Sequence, residues 1–165
     1  HMKMATGILP LPDVRAAGVN VTLGTDGGLN NNTHDMFGEM KACCLLQNSS
    51  RRSAKACTAL EALEMATIAG AKAIGREHEL GSIEPGKLAD IVLLDLNKAH
   101  TAPTHGLLSN IVFAANPSNV HTVMIGGRIV FKDDKVLGVD EPAIIARVHE
   151  RAPIIRATLG LSCPG

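Results

Sequence analysis

The sequence predicts an α/β protein in which one strand and two helices come first, followed by a small all-β patch and a further helix. Three observations predict this order. A β-branched run at residues 19–25 leads directly into Asp-Gly-Gly. Apolar residues at 58–75 recur at the spacing of a helix. After residue 75, short apolar runs are separated by Pro-Gly, Gly-Gly and Asp-Asp pairs, which favour turns between strands.

The composition is that of a folded protein without a face for nucleic acid. Of the 165 residues, 45% are hydrophobic and 19% are charged, and the formal net charge is zero. Nucleic-acid binding normally needs a basic face and, for single strands, aromatic platforms, but this sequence has no basic block and no Tyr or Trp. The apolar runs are far shorter than the roughly 20 residues of a membrane helix. We therefore expect a cytoplasmic protein with neither a nucleic-acid nor a membrane partner.

The cysteines favour free thiols. Cys43, Cys44, Cys57 and Cys163 contain no Cys-x-x-Cys pair, and two neighbouring cysteines cannot easily bridge to each other. Buried thiols in a reducing cytosol are therefore expected, rather than a disulfide or zinc framework.

The first half of the chain is predicted to hold a strand between helices. A short helix ends at Gly18, residues 19–25 form a buried strand, and a second helix begins near Thr33. The apolar face of that helix holds Met36, Phe37, Met40, Cys44 and Leu45.

The pattern at 58–75 is the clearest helix in the sequence. Thr58 and Glu61 have the spacing of a capping box, and Gly75 is a typical C-terminal stop. Apolar residues cover most of its circumference, so we expect burial on more than one side.

The second half is predicted to form short strands and then a helix. Strands are expected at 91–96, at 120–125 with 128–131 in a hairpin, and at 135–137. A helix then begins at Asp140, and Pro153 is expected to kink or split it. Its apolar stripe is Ile144, Val148, Ile155 and Leu159.

Asp26 is the first candidate for chemistry. It follows the end of the predicted strand and precedes two glycines that leave room above its carboxylate. In parallel α/β barrels, active sites are built at such strand ends. The carboxylate could bind a metal, act as a general base, or merely cap the following loop. One carboxylate alone makes neither a metal site nor an acid–base pair.

The neighbouring polar residues leave two interpretations open. Asn30, Asn31 and Asn32 either shape the turn and cap the next helix, or include one residue that hydrogen-bonds Asp26 or a ligand. None of the seven histidines forms His-x-His or His-Glu-x-x-His, so spacing predicts no complete metal site. His34 is expected to be solvated in the first turn of a helix, and His121 to be a facing residue of the small sheet.

Four stretches together resemble one known family. They are "GVNVTLGTDGGLNNNTHDMFGEMK", "TALEALEMATIAGAKAIG", "LGSIEPGKLADIVLLDL" and "TVMIGGRIVFKDDKV". They resemble the C-terminal third of the amidohydrolase superfamily. The nearest branch is the cytosine deaminase-like and chlorohydrolase group, which includes the S-adenosylhomocysteine and methylthioadenosine deaminases. The similarity spans about residues 3 to 160.

The resemblance implies a specific architecture and a role for Asp26. The family is a metal-dependent (β/α)8 barrel with a small β-sandwich. It implies that residues 3–75 are a barrel remnant with strand eight, and that 76–165 are a partial β-sandwich with a C-terminal helix. Asp26 matches the aspartate that ligates zinc or iron and takes a proton from the attacking water. The family's other metal ligands, which are histidines, and its proton-shuttling glutamate have no counterpart in this sequence.

The resemblance therefore implies a C-terminal part of a hydrolase that deaminates or dechlorinates a purine, pyrimidine or triazine-like ring. We expect the isolated chain to be inactive, with a small-molecule substrate only if it is complemented. The alternatives are a non-catalytic oligomerising module, or half of a split enzyme completed by a separate N-terminal chain. Because the strand at 19–25 would have unpaired edges, we expect a homo-oligomer, with exchanged elements as one form of it.

Overall fold

Helices occupy most of the first half of the chain, and one antiparallel sheet occupies much of the second half. The computed structural model describes residues 3–160, so His1 and Cys163 lie outside the described residues. The helices are α1 (Leu11–Ala16), α2 (Gly28–Asn31), α3 (Met36–Arg51), α4 (Ala59–Ala66), α5 (Ile68–Ala73), α6 (Leu107–Ser109) and α7 (Glu141–Thr158). A π-helical turn (Asn110–Ala114) and a 3-10 turn (Pro117–Asn119) follow α6. The strands are β1 (Ile91–Leu94), β2 (Val120–Ile125), β3 (Arg128–Lys132) and β4 (Lys135–Val136).

The sheet confirms the α/β class and the predicted hairpin. Its order is β1-β2-β3-β4, and every neighbouring pair is antiparallel. The β2–β3 turn uses Gly126 and Gly127 at φ of 55° and 78°, the positive values of a hairpin turn whose twist matches its strands. Asp133 and Asp134 also adopt positive φ and lead into β4, at the position predicted for the third strand. All of these turns are encoded locally, by residue types that tolerate φ above zero.

The hydrophobic core lies where α3 and α4 pack together. Its buried members are Leu11, Met40, Cys44, Cys57, Ala62, Met65 and Val112. Val112 comes from the π-helical turn, so a residue beyond position 75 completes a core made mainly by residues before it. The predicted division into 3–75 and 76–165 stays a prediction.

Helix α3 begins three residues later than predicted. Asp35 is its N-cap, and the Asp35 carboxylate accepts a hydrogen bond of 2.9 Å from the Phe37 N–H. The start at Thr33 was wrong because the preceding asparagines form their own short helix, α2, and Asp35 is the better cap for α3. Met40 and Cys44 are buried as expected, whereas Leu45 is exposed.

The predicted helix at 58–75 is two helices. The capping box is confirmed: Thr58 Oγ1 accepts from the Glu61 N–H, and Glu61 accepts from the Thr58 N–H. The chain breaks at Thr67, whose φ and ψ are −131° and −95°. The Thr67 hydroxyl donates to the carbonyl of Leu63 at 2.7 Å, a bond to the preceding turn that bends helices. The second helix, α5, ends at Ala73, and Gly75 follows it with a positive φ of 68°.

Residues 19–25 do not form the buried strand that was predicted. They are extended, but none of the described residues pairs with them in a ladder. Val21 and Leu23 are half-buried against the core, and the Leu23 N–H donates to the carbonyl of Met65 at 3.0 Å. Val19 is 53% exposed. Without neighbouring strands, the β-branched run can bury only one face, and we call it the extended segment 19–25.

Helix α7 begins where predicted and runs through Pro153 without splitting. The Asp140 carboxylate caps it by accepting from the Ala143 N–H at 3.0 Å. Its predicted stripe is on the surface: Ile144, Val148, Ile155 and Leu159 are all exposed. None of the described helices is long and apolar enough to cross a membrane.

Candidate functional site

Asp26 follows the extended segment 19–25 in a backbone conformation that few residues adopt. Its φ is 57°, in the left-handed region, where aspartate and asparagine are the most common non-glycine residues. The two carboxylate oxygens are held separately. Oδ1 accepts from the Gly27 N–H at 2.9 Å, and Oδ2 accepts from Asn30 Nδ2 at 2.9 Å. The carboxylate is therefore exposed but fixed in direction.

These two bonds also hold Asp26 in its charged form. The hydrogen bond from Asn30, and then the one from the Gly27 N–H, lower the pKa of the Asp26 carboxyl below its ordinary value. The group is thus ionised at neutral pH, as a metal ligand or a proton acceptor has to be.

The first interpretation is right about the turn and wrong about the cap: Asn32 ends α2 in a left-handed conformation, but Asp35 and none of the asparagines caps α3. Asn30 instead binds Asp26, which confirms the other interpretation. Asn31 Nδ2 donates to the carbonyl of Thr25 at 2.8 Å and to Glu39 Oε1 at 2.6 Å. Asn32 adopts a left-handed conformation and ends α2. The three consecutive asparagines therefore have different structural roles: Asn30 binds Asp26, Asn31 binds Thr25 and Glu39, and Asn32 ends α2.

Glu39 is the residue that the sequence did not single out. It lies in the first turn of α3, and through Asn31 it holds the backbone of Thr25, which directly precedes Asp26. The only signal in the sequence is an acidic residue shortly after an asparagine run, and that pattern is too common to select it.

The positions of the histidines agree only partly with the prediction from the sequence. His34 is exposed as expected, but it precedes α3 rather than lying in its first turn. Its Nδ1 is 3.4 Å from Thr25 Oγ1, and its Nε2 lies against Gly28, where a Cβ would be 3.5 Å away. His34 is thus packed beside the loop that carries Asp26. His121 is exposed on β2, and its Nε2 is 3.9 Å from Asp133 Oδ1.

The sequence and the fold have clear relatives. The sequence model of the amidohydrolase family matches residues 1–130. The chain belongs to the amidohydrolase family. The predicted resemblance to the C-terminal portion of this superfamily is thereby confirmed.

The curated relatives of this amidohydrolase chain include 5-methylthioadenosine/S-adenosylhomocysteine deaminases. The one from Syntrophomonas wolfei is 40% identical over 152 residues, which are 92% of this chain and 35% of the relative. The one from Thermoanaerobacter pseudethanolicus is 42% identical over 152 residues, which again are 92% of this chain and 35% of the relative. The chain thus spans about a third of the length of the curated relatives it matches.

Solved amidohydrolase structures have the same fold. An adenosine deaminase from Xanthomonas campestris with bound zinc superposes with a TM-score of 0.91 at 35% identity, over 94% of this chain and 36% of that one. An atrazine chlorohydrolase from Arthrobacter aurescens complexed with zinc superposes with a TM-score of 0.82 at 23% identity. The match covers 90% of this chain and 33% of the chlorohydrolase. The second likeness shows the fold alone.

The family's use of a metal can be tested against the donors around Asp26. An ionised, directionally fixed carboxylate fits one ligand of a zinc or iron ion. Among residues 3–160, no group of three or more His, Cys, Asp or Glu is arranged to hold a metal ion. Asp26 therefore fits one ligand, and residues 3–160 do not form a complete metal site.

An open groove runs beside this loop. With a volume of about 750 Å³, it is lined by both polar and apolar residues, among them Asp26, Glu39 and Val21. Gln47 also lines it and is only 4% exposed. Its Nε2 donates to the carbonyl of Leu9 at 2.9 Å, whereas its Oε1 is buried and accepts no hydrogen bond within the described part of the chain. A buried acceptor without a partner is costly, so Gln47 is a locally unfavourable feature beside the groove.

Proposed function

We propose that this chain is the C-terminal part of a metal-dependent amidohydrolase that deaminates the purine ring of a nucleoside. In this proposal, residues 3–75 are the end of a (β/α)8 barrel, and residues 76–165 are part of a small β-sandwich with a C-terminal helix. The observation that carries it is the Asp26 carboxylate, which is exposed, ionised and held by Gly27 and Asn30.

The relatives favour deamination over dechlorination. The curated relatives at about 40% identity are named as deaminases of methylthioadenosine and S-adenosylhomocysteine. The chlorohydrolases, at 23% identity, support the fold and not a substrate. A purine nucleoside is therefore the substrate class we favour over a pyrimidine or a triazine.

In this proposal Asp26 supplies one metal ligand and one proton acceptor. Asn30 and Gly27 keep the carboxylate charged and aimed, and Asn31 with Glu39 fixes the backbone just before it. Because residues 3–160 form no group of three or more metal ligands, catalysis needs ligands from another part of the protein or from a separate N-terminal chain. The isolated chain should therefore be inactive.

Metal content tests the assignment of Asp26. We expect the purified chain, mixed with a polypeptide that carries the N-terminal two-thirds of the Syntrophomonas wolfei relative, to hold about one zinc or iron ion per complex by plasma mass spectrometry. The mixture should also release ammonia from methylthioadenosine. Both signals should be lost with Asp26→Asn, because an amide is a weak ligand and cannot accept the proton.

Asp134→Asn is the matched control. Asp134 is also exposed and has a φ of 60°, close to that of Asp26. The control should keep the metal and the activity. Full metal content and full activity in Asp26→Asn would contradict the proposal.

The second candidate is a non-catalytic module that works by assembling with copies of itself. The observation that favours it is the extended segment 19–25, which carries no ladder partner within residues 3–160. Metal content separates the two candidates, because a purely structural assembly has no need of the Asp26 carboxylate.

A further inference from the structure

Three of the cysteines meet in the core between α3 and α4. Cys43 and Cys44 are consecutive residues of α3, and Cys57 directly precedes Thr58, the cap of α4. The sulfur of Cys57 is 3.6 Å from that of Cys44 and 3.9 Å from that of Cys43. All three are free thiols. Cys57 is therefore the central sulfur of a cluster, which we call the thiol cluster.

The backbone holds these sulfurs together independently of their own contacts. The side chain of Asn48, one turn beyond Cys44 on α3, hydrogen-bonds both the N–H and the carbonyl of Cys57. Its Oδ1 accepts from the Cys57 N–H at 2.9 Å, and its Nδ2 donates to the Cys57 carbonyl at 3.2 Å. Asn48 thus holds Cys57 against α3, the helix that carries Cys43 and Cys44.

The three thiols differ in acidity because of their positions. The hydrogen bond from Cys43 lowers the pKa of Cys57 to about 7, with a further contribution from Cys44 and with burial opposing both. Burial, and then the hydrogen bond to Cys57, raises the pKa of Cys44 to about 12. The bond to Cys57 also raises the pKa of Cys43. The thiolate is the nucleophile in thiol oxidation, so Cys57 is the first to react.

The thiol cluster is open on one side. Cys44 and Cys57 are 0% exposed, but Cys43 is only partly buried and lines the open groove beside Asp26. The groove leads a small oxidant as far as Cys43, whose sulfur is 3.9 Å from that of Cys57, and a small displacement of the Cys43 side chain admits it to Cys57. A bulky alkylating reagent needs a much larger opening of the packing around the other two sulfurs.

We propose that Cys44 and Cys57 form an oxidation site at which a peroxide converts the two thiols into a disulfide that joins α3 to the start of α4. The Cys57 thiolate attacks one peroxide oxygen, the O–O bond breaks, and Cys57 sulfenic acid and hydroxide form. The Cys44 thiol then attacks the sulfenic sulfur, the S–S bond forms, and water leaves. Cys57 and Cys44 are oxidised by two electrons together, and the peroxide is reduced.

Peptide mapping of the unaltered chain tests the bridge directly. Trypsin cuts after Lys41, Arg51, Lys55 and Lys72, so Cys44 and Cys57 fall on separate peptides. After treatment with hydrogen peroxide, we expect the four thiols per chain to fall to two, counted on the denatured protein. The peptides 42–51 and 56–72 should be recovered linked without reductant, and the link should vanish with it. Formation should speed up as the pH rises through about 7, where Cys57 ionises.

Single substitutions assign the pair. Cys44→Ala should lose the linked peptides, whereas Cys43→Ala, its neighbour on the same helix, should keep them; circular dichroism checks that both fold. Cys163→Ala should leave the bridge unchanged. Four unreacted thiols, a link that forms only between chains, or a link that survives in Cys44→Ala would each overturn the proposal.

Discussion

At the scale of single residues, Glu61 joins two helices through one carboxylate. Its Oε2 accepts from the Thr58 N–H at 2.7 Å and from the Thr58 hydroxyl at 2.8 Å, while its Oε1 pairs with Arg15 Nη1 at 2.7 Å. Burial acts to raise the pKa of Glu61, but the bonds from Thr58 and the charge of Arg15 outweigh it and lower the pKa below its ordinary 4.5. Helix α1, which carries Arg15, is thereby tied to the cap of α4.

This geometry predicts an acid-sensitive contribution to stability. A folded-state pKa below 4.5 means that the ionised Glu61 stabilises the fold above that pH, and that this contribution is lost as the pH falls through the lower folded value. Glu61→Gln keeps a side chain that can cap but removes the charge, and should cost about 1 kcal/mol of unfolding free energy at neutral pH. Urea titrations should show that the difference in unfolding free energy between Glu61→Gln and the unaltered chain becomes smaller in acid.

Glu64→Gln is the control, because Glu64 is exposed on the same helix and has no part in the capping box. It should change the unfolding free energy by less than about 0.5 kcal/mol at either pH. A gap for Glu61→Gln that is the same in acid as at neutral pH would contradict the prediction.

The site also shows which residues sequence alone can identify. Asp26 was recognisable because a carboxylate after a β-branched run and before two glycines is an uncommon combination. Asn30 was not distinguishable from Asn31 or Asn32, because three identical neighbours carry no pattern. Their separate contacts depend on the short helix α2, which places only Asn30 over the carboxylate.

At the scale of elements, Gly81 lets the chain after α5 pass directly over that helix. Its φ is 87°, and a Cβ there would be 2.7 Å from Ile68 Cα and 2.9 Å from Ala71 Cβ. Two separate costs therefore face any side chain at this position: the left-handed backbone and the overlap with the start of α5.

Gly81→Ala should be markedly more destabilising than Gly86→Ala. Gly86 has a similar φ of 93°, but a Cβ there would meet nothing within 4 Å. Both variants should lose about 1–2 kcal/mol of unfolding free energy from backbone strain. Gly81→Ala should lose about 1–3 kcal/mol more, because the overlap is with backbone and cannot relax easily. Urea unfolding measures both, and equal losses would show that the overlap relaxes.

Elements specified by near neighbours were predictable, and those set by distant contacts were not. The capping box of Thr58 and Glu61 and the Gly126-Gly127 hairpin depend on residues within a few positions of each other. The break at Thr67 and the unpaired state of the extended segment 19–25 depend on the residues packed around them. A β-branched run predicts a strand, but only neighbouring strands make it one.

At the scale of the whole molecule, several apolar surfaces are left uncovered within residues 3–160. The extended segment 19–25 has a free edge, and Val19 is more than half exposed. The apolar stripe of α7 is exposed as well, in Ile144, Val148, Ile155 and Leu159. Exposed strand edges and apolar patches favour association with another chain. We propose that the isolated chain forms a homo-oligomer in which the extended segment 19–25 pairs with a second copy.

Blocking one edge of the extended segment 19–25 tests this proposal. The Leu23 N–H is used by Met65, so an added strand must use the opposite edge, which carries the N–H of Thr22. Thr22→Pro removes that donor, and light scattering after size exclusion should show a smaller mass than for the unaltered chain, which should be a dimer or larger. Thr22→Ala keeps the N–H and should leave the mass unchanged. A monomeric unaltered chain would refute the assembly, and an equally large Thr22→Pro species would place the contact elsewhere.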